Sequence, residues 1–270
     1  MLKDITLGQY FPGSSVIHRL DPRTKILLVL CYIVLTFLIE NFIGYLLLAA
    51  FTVGCILVSK VPPKFVLKGL KPILVFVVIT GLFNLFLTRG DVVFSWWIFS
   101  ITRQGIYFAA FMVLRLVFLM VGTSLLTLTT SPIALTDGME RLLRPLRKVG
   151  VPAHELAMMI SIALRFIPIL MEETDKIMKA QSARGADFES GNILRRAKAM
   201  VPILVPLFIS AFRRADELAT AMECRCYRGG ENRTRFKELL YGKKDLGAGI
   251  SFLALVALVF AANFLFGKVI

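Results

Sequence analysis

The sequence predicts an all-α integral membrane protein: about five transmembrane helices, with a large helical segment placed on one side before the last span. Three observations predict this class. Of the 270 residues 57% are apolar, and they gather in long runs. A mean hydropathy of +0.73 accompanies a net charge of +14, and the two coexist only if the cations lie between the runs. The cations are also distributed very unevenly along the chain. An ordinary soluble enzyme and a soluble nucleic-acid binder are therefore excluded as leading readings.

Residues 1–25 form a polar N-terminal segment, and residues 26–130 carry the first four spans. The apolar runs are Ile26–Ile39, Phe42–Val58, Pro72–Thr88 and Gly105–Thr130, with a fifth at Leu246–Phe266. A helix needs about 20 apolar residues to cross a hydrocarbon core of ~30 Å. The stretch Ile26–Val58 is too long for one span, and Glu40-Asn41 divides it into a helical hairpin with two short arms. Local bilayer thinning or polar flanks must make up the missing length.

The basic residues orient the spans. Lys3, Arg19, Arg23 and Lys25 precede the first; Lys60, Lys64, Lys68 and Lys71 lie between the second and third. Residues 131–245 hold 20 Lys and Arg against 14 Asp and Glu. The opposite side has only Arg89, Arg103 and Lys268, and Arg115 lies inside the fourth run. This predicts a cell-membrane protein with a cytoplasmic N-terminus and an outer C-terminus. Trp96 and Trp97 then fall in the outer loop, at the depth where indoles are enriched. The four lysines from Lys60 to Lys71 share one helical face after Pro62-Pro63. They suit a short helix on an anionic leaflet, at ~1 kcal/mol per cation, although topology setting explains them equally well.

No cleavable signal peptide is read in Leu2–Arg19. Cys31 and Cys55 fall in spans, and Cys224 and Cys226 in the 131–245 segment. With only His18 and His154 in the chain, these thiols do not spell a metal site, and no cofactor is expected. His154-Glu155 lacks the second, correctly spaced His of a zinc protease. The acidic group Glu172, Glu173 and Asp175 is the only one that could suggest metal–diphosphate chemistry by a membrane lipid-modifying enzyme. Lys176 interrupts it, and it reads as a solvated face.

Residues 131–245 read as helices broken by prolines. Ser131-Pro132 opens one, and Gly150-Val151-Pro152 precedes another, with Pro152 suited to a first turn and Glu155 favourable near the positive end. Leu156–Leu170 is apolar around Arg165, and Ala199–Phe212 carries Pro202 and Pro206, which should kink it. Both stretches should lie against protein or lipid. Each leads into a charged helix, and Asp175–Gly185 overlays Asp216–Cys226 at an offset of 41 residues. The shared skeleton is an Asp, an aliphatic residue two later, an Ala at five and an Arg at nine. Two matched helices, each ending in an Arg between small residues, suggest two equivalent docking sites on a partner. Small neighbours let a helix tip enter a groove, and the guanidinium fork suits acidic or carbonyl acceptors. The macrodipole also favours an Arg there for purely structural reasons. Gly229-Gly230 after Arg228 terminates the second helix.

These features resemble the transmembrane T component, the EcfT family, of energy-coupling factor (ECF) vitamin and metal transporters. The opening Gly8-Gln9-Tyr10-Phe11-Pro12-Gly13-Ser14-Ser15, followed by His18-Arg19-Leu20-Asp21-Pro22-Arg23-Thr24-Lys25, is similar to the family's first segment. Ala183-Arg184-Gly185 matches its first Ala-Arg-Gly signature. Cys224-Arg225-Cys226 keeps the Arg of the second but replaces its flanking Ala and Gly with cysteines. The resemblance implies two long coupling helices in the 131–245 segment, which would be a cytoplasmic coupling domain ahead of the last span, 246–270. It implies two cytoplasmic ABC ATPase partners contacted by Arg184 and Arg225, with Ala183, Gly185, Cys224 and Cys226 beside them. It also implies a small membrane-embedded S component, held by the two apolar stretches, that captures the substrate. The protein would then be a bacterial, non-catalytic subunit, and it contains no Gly-x-x-x-x-Gly-Lys-Ser/Thr phosphate loop. A permease subunit of a conventional ABC importer is the alternative; the duplicated Arg signature speaks against it.

Arg115 is the one charge deep in a run, at a cost of ~2.5–3.5 kcal/mol on insertion scales. It either lines a pathway or faces the helix bundle or a neighbouring subunit, and the second reading is the stronger.

Overall fold

The computed structural model describes residues 10–96, 99–186, 188, 192–229 and 239–267. Lys3, Gly8, Gln9, Trp97, Gly230 and Lys268, named above, lie outside them. The chain divides into two compact units, one of residues 7–141 and 238–270, the other of residues 1–6 and 142–237.

The first unit is built from helices that start and stop where local chemistry dictates. Helix α1 (Pro22–Leu38) has Pro22 at its first position, and the Asp21 carboxylate accepts the Arg23 N–H, which together satisfy a helix N-terminus. Helix α2 (Phe42–Ser59) is capped by Asn41, whose Oδ1 accepts the Gly44 N–H at 2.7 Å. The turn Ile39-Glu40-Asn41 thus divides the long apolar run, as the sequence predicts. Asn41 Nδ2 donates to the Ala262 carbonyl at 3.0 Å, and Asn263 Nδ2 to that of Leu38 at 2.8 Å, which docks the turn on the last helix. At 1.5 Å per residue, arms of 17 and 18 residues reach only about 25–27 Å.

The lysine-bearing segment forms the short helix α3 (Pro63–Leu70), bent by 58° from α4 (Leu74–Leu87). Lys64, Lys68 and Lys71 are exposed, whereas Val66 is buried. The loop expected after α4 contains an antiparallel hairpin, β1 (Val92–Trp96) paired with β2 (Phe99–Thr102). Its Val, Phe, Trp and Ile content suits a strand pair, a signal overlooked amid apolar residues assigned to the interface. Thr102 then caps α5 (Arg103–Thr129), whose 27 residues span about 40 Å. Helix α5 packs against α1, α2, α3 and α4. Tyr32, Leu35, Tyr45, Leu48, Phe111, Phe252, Leu255 and Val259 form the main core, with α9 (Lys243–Phe266) closing it. Helix α6 (Pro132–Leu143) begins after Ser131, whose Oγ accepts the Ala134 N–H.

The second unit holds a short 3-10 helix (Arg144–Val149), α7 (Ala153–Ala183) and α8 (Ile193–Cys224). Pro152 is the N-cap of α7 and not a residue of its first turn, although Glu155 does lie there. Pro168 sits inside α7, and Pro202 and Pro206 inside α8, without ending either helix.

Among the described residues α2, α5, α7 and α9 are long and apolar enough to cross a membrane, with α3 and α4 together a possible bent fifth. Helix α1, at 17 residues, is shorter than these, as expected for a hairpin arm. Helix α7 lies inside the segment that the charge pattern places on one side. Length and composition therefore do not by themselves separate α7 from the spans.

Candidate functional site: paired helix tips and a polar knot

The helix tips singled out by the 41-residue repeat end in the same way. Helix α7 stops at Ala183: Arg184 lies at φ −88°, ψ 8°, and Gly185 turns left-handed at φ +87°. The Arg184 N–H donates to Gln181 O, Gly185 N–H to Ser182 O and Ala186 N–H to Gln181 O, each at 3.0 Å. Helix α8 repeats the set. Arg225 lies at φ −90°, ψ 15°; its N–H donates to Met222 O at 3.1 Å, Cys226 N–H to Glu223 O at 2.8 Å and Tyr227 N–H to Met222 O at 3.0 Å. Cys226 adopts φ 53°, the left-handed conformation glycine fills in the first tip. A cysteine there is strained relative to glycine, yet the hydrogen bonds that define the cap are kept. Ala183, Arg184, Gly185, Cys224, Arg225 and Cys226 are all exposed.

A further match was not read from the sequence. Arg214 Nη2 lies 3.4 Å from Glu173 Oε2, and these positions are themselves 41 residues apart. The helices therefore touch at equivalent points of the repeat. Eleven residues separate Glu173 from Arg184, and eleven separate Arg214 from Arg225. Each tip thus lies about 16 Å beyond the contact. Extending the overlay two residues towards the N-terminus would have aligned Glu173 with Arg214. The pair is part-exposed and contributes little stability; its value is as a marker of symmetry. Many large apolar side chains on these helices are exposed, among them Met159, Ile160, Val205, Phe208 and Phe212.

The segment from His18 to Lys25 forms a second site, in the other unit. Asp21 and Asp245 are buried, as is Lys25. Asp245 Oδ1 accepts the Asp21 N–H and Oδ2 the Gly242 N–H, both at 2.8 Å. Arg23 donates to both Asp21 oxygens, at 3.0 and 2.9 Å, and to the Leu239 carbonyl, with its guanidinium 4.0 Å from the Tyr241 ring centroid. Lys25 Nζ donates to His18 O, Thr129 O and Thr130 Oγ1. His18 is held in turn by Ser15 Oγ and the Phe11 carbonyl. This knot joins the N-terminal segment, α1, the end of α5 and the start of α9. The sequence reading took His18–Pro22 as an entry turn and missed the partners.

Burial pushes the Asp21 carboxyl up, but Arg23, through side-chain and backbone hydrogen bonds and its charge, outweighs this with help from Arg141, and the net effect is downward. A carboxyl with a lowered folded-state value adds stability that is complete above its unfolded value and is lost as pH falls through the folded one. Stability of the purified protein should therefore drop on acidification below the ordinary carboxyl range, and Asp21→Asn should flatten that drop. Thermal melts of both proteins between about pH 2 and pH 6 check it, and identical pH profiles would remove Asp21 from the account.

Among the described residues no carboxylate pairs with Arg115. Its Nε donates to Tyr45 Oη at 3.3 Å, and the guanidinium lies 5.3 and 5.7 Å from the Phe37 and Phe111 ring centroids. Phe37 and Tyr45 flank the hairpin turn, so the charge sits beside the closed end of α1 and α2 within its own bundle. Arg115→Met should leave folding intact and change uptake by no more than about twofold. Lost uptake with normal assembly would instead assign Arg115 to a pathway.

All four cysteines are free. Residues 13–236 match a family model described as cobalt transport protein. The chain is 60% identical over 270 residues to the energy-coupling factor transporter transmembrane protein EcfT of Clostridium kluyveri, covering 99% of this chain and 100% of the relative. It is 51% identical to the EcfT protein of Bacillus subtilis, over 96% of this chain and 98% of that one, and 44% identical to that of Lactococcus lactis subsp. cremoris, over 90% and 92%.

The chain belongs to the EcfT family.

This EcfT-family chain is thus a multi-pass bacterial membrane protein and a transporter subunit, with a mainly helical fold as its sequence predicts.

Proposed function

We propose that this EcfT-family protein is the coupling subunit of an ECF-type importer. It passes ATP-driven motion of two cytoplasmic ATPases to a membrane-embedded S component that binds a vitamin or another micronutrient. The observation that carries this reading is the pair of equivalent helix tips, each an exposed Arg presented by the same cap. Two like contacts spaced evenly from a common crossing suit a pair of like ATPases. Arg184 and Arg225 are the contact residues, with Ala183, Gly185, Cys224 and Cys226 leaving room for them. The exposed apolar faces of α7 and α8 need lipid or protein cover, and they supply the surface for the S component. In this reading residues 131–245 are the cytoplasmic coupling domain, the N-terminus is cytoplasmic, and ATP hydrolysis belongs to the partners.

Affinity purification in mild detergent tests the reading, comparing the wild type with the Arg184→Glu/Arg225→Glu double variant. The wild type should bring down two ATPases and one or more small membrane proteins, and the variant should lose the ATPases. Recovery of a single protein with catalytic activity of its own would overturn it. A single type of substrate-free permease partner would favour a conventional ABC importer.

A further inference from the structure

The unit of residues 7–141 and 238–270 contains a half-open cavity of about 530 Å³ between α1, α2, α5 and α9. Its walls are apolar, with Leu28, Val58, Leu125 and Phe252 representative. It runs along α1 from Lys25 to Tyr32 and along α9 from Lys244 to Phe252, about 10–12 Å at the helical rise. An apolar groove of this length accepts part of an extended hydrocarbon chain.

One end of this groove is cationic. Lys244 lines it and is exposed, as is Lys243 next to it, and exposed Arg19 lies between Ile17 and Leu20, which also line the wall. Of the two neighbouring carboxylates, Asp21 pairs with Arg23 and buried Asp245 accepts the N–H groups of Asp21 and Gly242, which leaves the exposed cations Arg19, Lys243 and Lys244 in excess. Lys25 belongs to the groove's floor, since all three of its recorded hydrogen bonds go to oxygens of this chain. An apolar slot with a cationic mouth at one end of transmembrane helices matches a lipid that carries a negative headgroup.

We propose that this groove is a binding site for an anionic phospholipid, one acyl chain lying between α1, α2, α5 and α9 and the headgroup against Lys244. The lipid would fill space that the side chains leave open and would tie the start of α9 to α1 and α2. The proposal stands apart from the coupling reading, because it uses neither helix tip.

The groove can be filled from within. Gly54 and Gly247 both line it, and a Cβ at either meets nothing within 4 Å. Both are helical, so replacing them with leucine also raises helix propensity. The full-length chain, with any partners that copurify, is placed in phosphatidylcholine nanodiscs. These are doped with phosphatidylglycerol bearing a diazirine on one acyl chain, or with phosphatidylcholine bearing the same group. After photolysis, adducts are mapped by peptide mass spectrometry. Phosphatidylglycerol adducts should concentrate on the groove-lining parts of α1, α2, α5 and α9, about fivefold over the phosphatidylcholine probe. Gly54→Leu with Gly247→Leu should remove most of them. Lys244→Glu should bring the two probes to equal labelling, and it serves alone if the filled variant fails to fold. Adducts spread evenly over all lipid-facing helices, equal labelling by both probes in the wild type, or adducts unchanged in the variants would each overturn the proposal. So would protection of the groove by a partner chain.

Discussion

Reversing both tip charges, Arg184→Glu with Arg225→Glu, is expected to abolish recovery of both ATPases and to abolish uptake, while the protein still inserts and folds. The fold should tolerate the change because both caps are made by main-chain bonds, from 184, 185 and 186 in one tip and 225, 226 and 227 in the other. Both side chains are exposed. What the folded chain loses is a favourable charge at two helix C-termini, ~0.3–1 kcal/mol each and partly screened by salt. Docking loses far more. A guanidinium that donates several bonds into a groove is replaced by a carboxylate that can donate none and that repels acidic acceptors. Each single variant should weaken recovery of the complex without eliminating it, since the other tip remains. Size-exclusion profiles, membrane fractionation and quantitative copurification distinguish loss of docking from loss of fold. Two ATPases recovered at wild-type levels with the double variant would refute the assignment of both tips.

A large loss of stability is expected at the knot. Asp245→Ala strips two main-chain N–H groups, of Asp21 and Gly242, of the carboxylate they share. A buried donor left without an acceptor costs ~1–3 kcal/mol, so the variant should lose about 2–5 kcal/mol. The loss falls where α9 starts and α1 begins. Asp245→Asn keeps one acceptor oxygen and should lie between. Thermal unfolding in a single detergent ranks the three proteins. A variant that melts with the wild type would show that the knot is not what holds α1 to α9.

Much of this architecture was legible in the chain itself. Glu40-Asn41 announced the hairpin because a polar pair in a 33-residue apolar run has to find hydrogen-bond partners, and Asn41 finds them at Gly44 and Ala262. The lysines Lys64, Lys68 and Lys71 announced a short helix, whereas Lys60, read as part of the same face, ends α2 in a left-handed turn; the repeat announced two like tips. The β1–β2 hairpin was missed because its residues are apolar, so a turn between two spans looked the same as membrane-interface chain. Cys226 was a doubtful glycine substitute by composition, yet its backbone reaches the same left-handed position as Gly185. The hydrogen bonds of the cap, and not the residue type alone, decide that conformation.

The sequence by itself determined the class of molecule, the positions of its long apolar runs and the two matched arginines. Those properties are local: a run of apolar residues partitions into lipid, and a helix repeats every 3.6 residues, whatever the rest of the chain does. Only the tertiary structure decided what the charges do. Asp245 serves a main-chain group 224 residues away, Lys25 donates to the His18 and Thr129 carbonyls and the Thr130 hydroxyl, and Glu173 meets Arg214 at the repeat distance. Arg115, the costliest residue by its position in the chain, rests against Tyr45 and two aromatic rings beside a hairpin turn. The physical reason is that a charge is stabilised by whatever lies within a few ångströms of it, and chain order does not say what that will be.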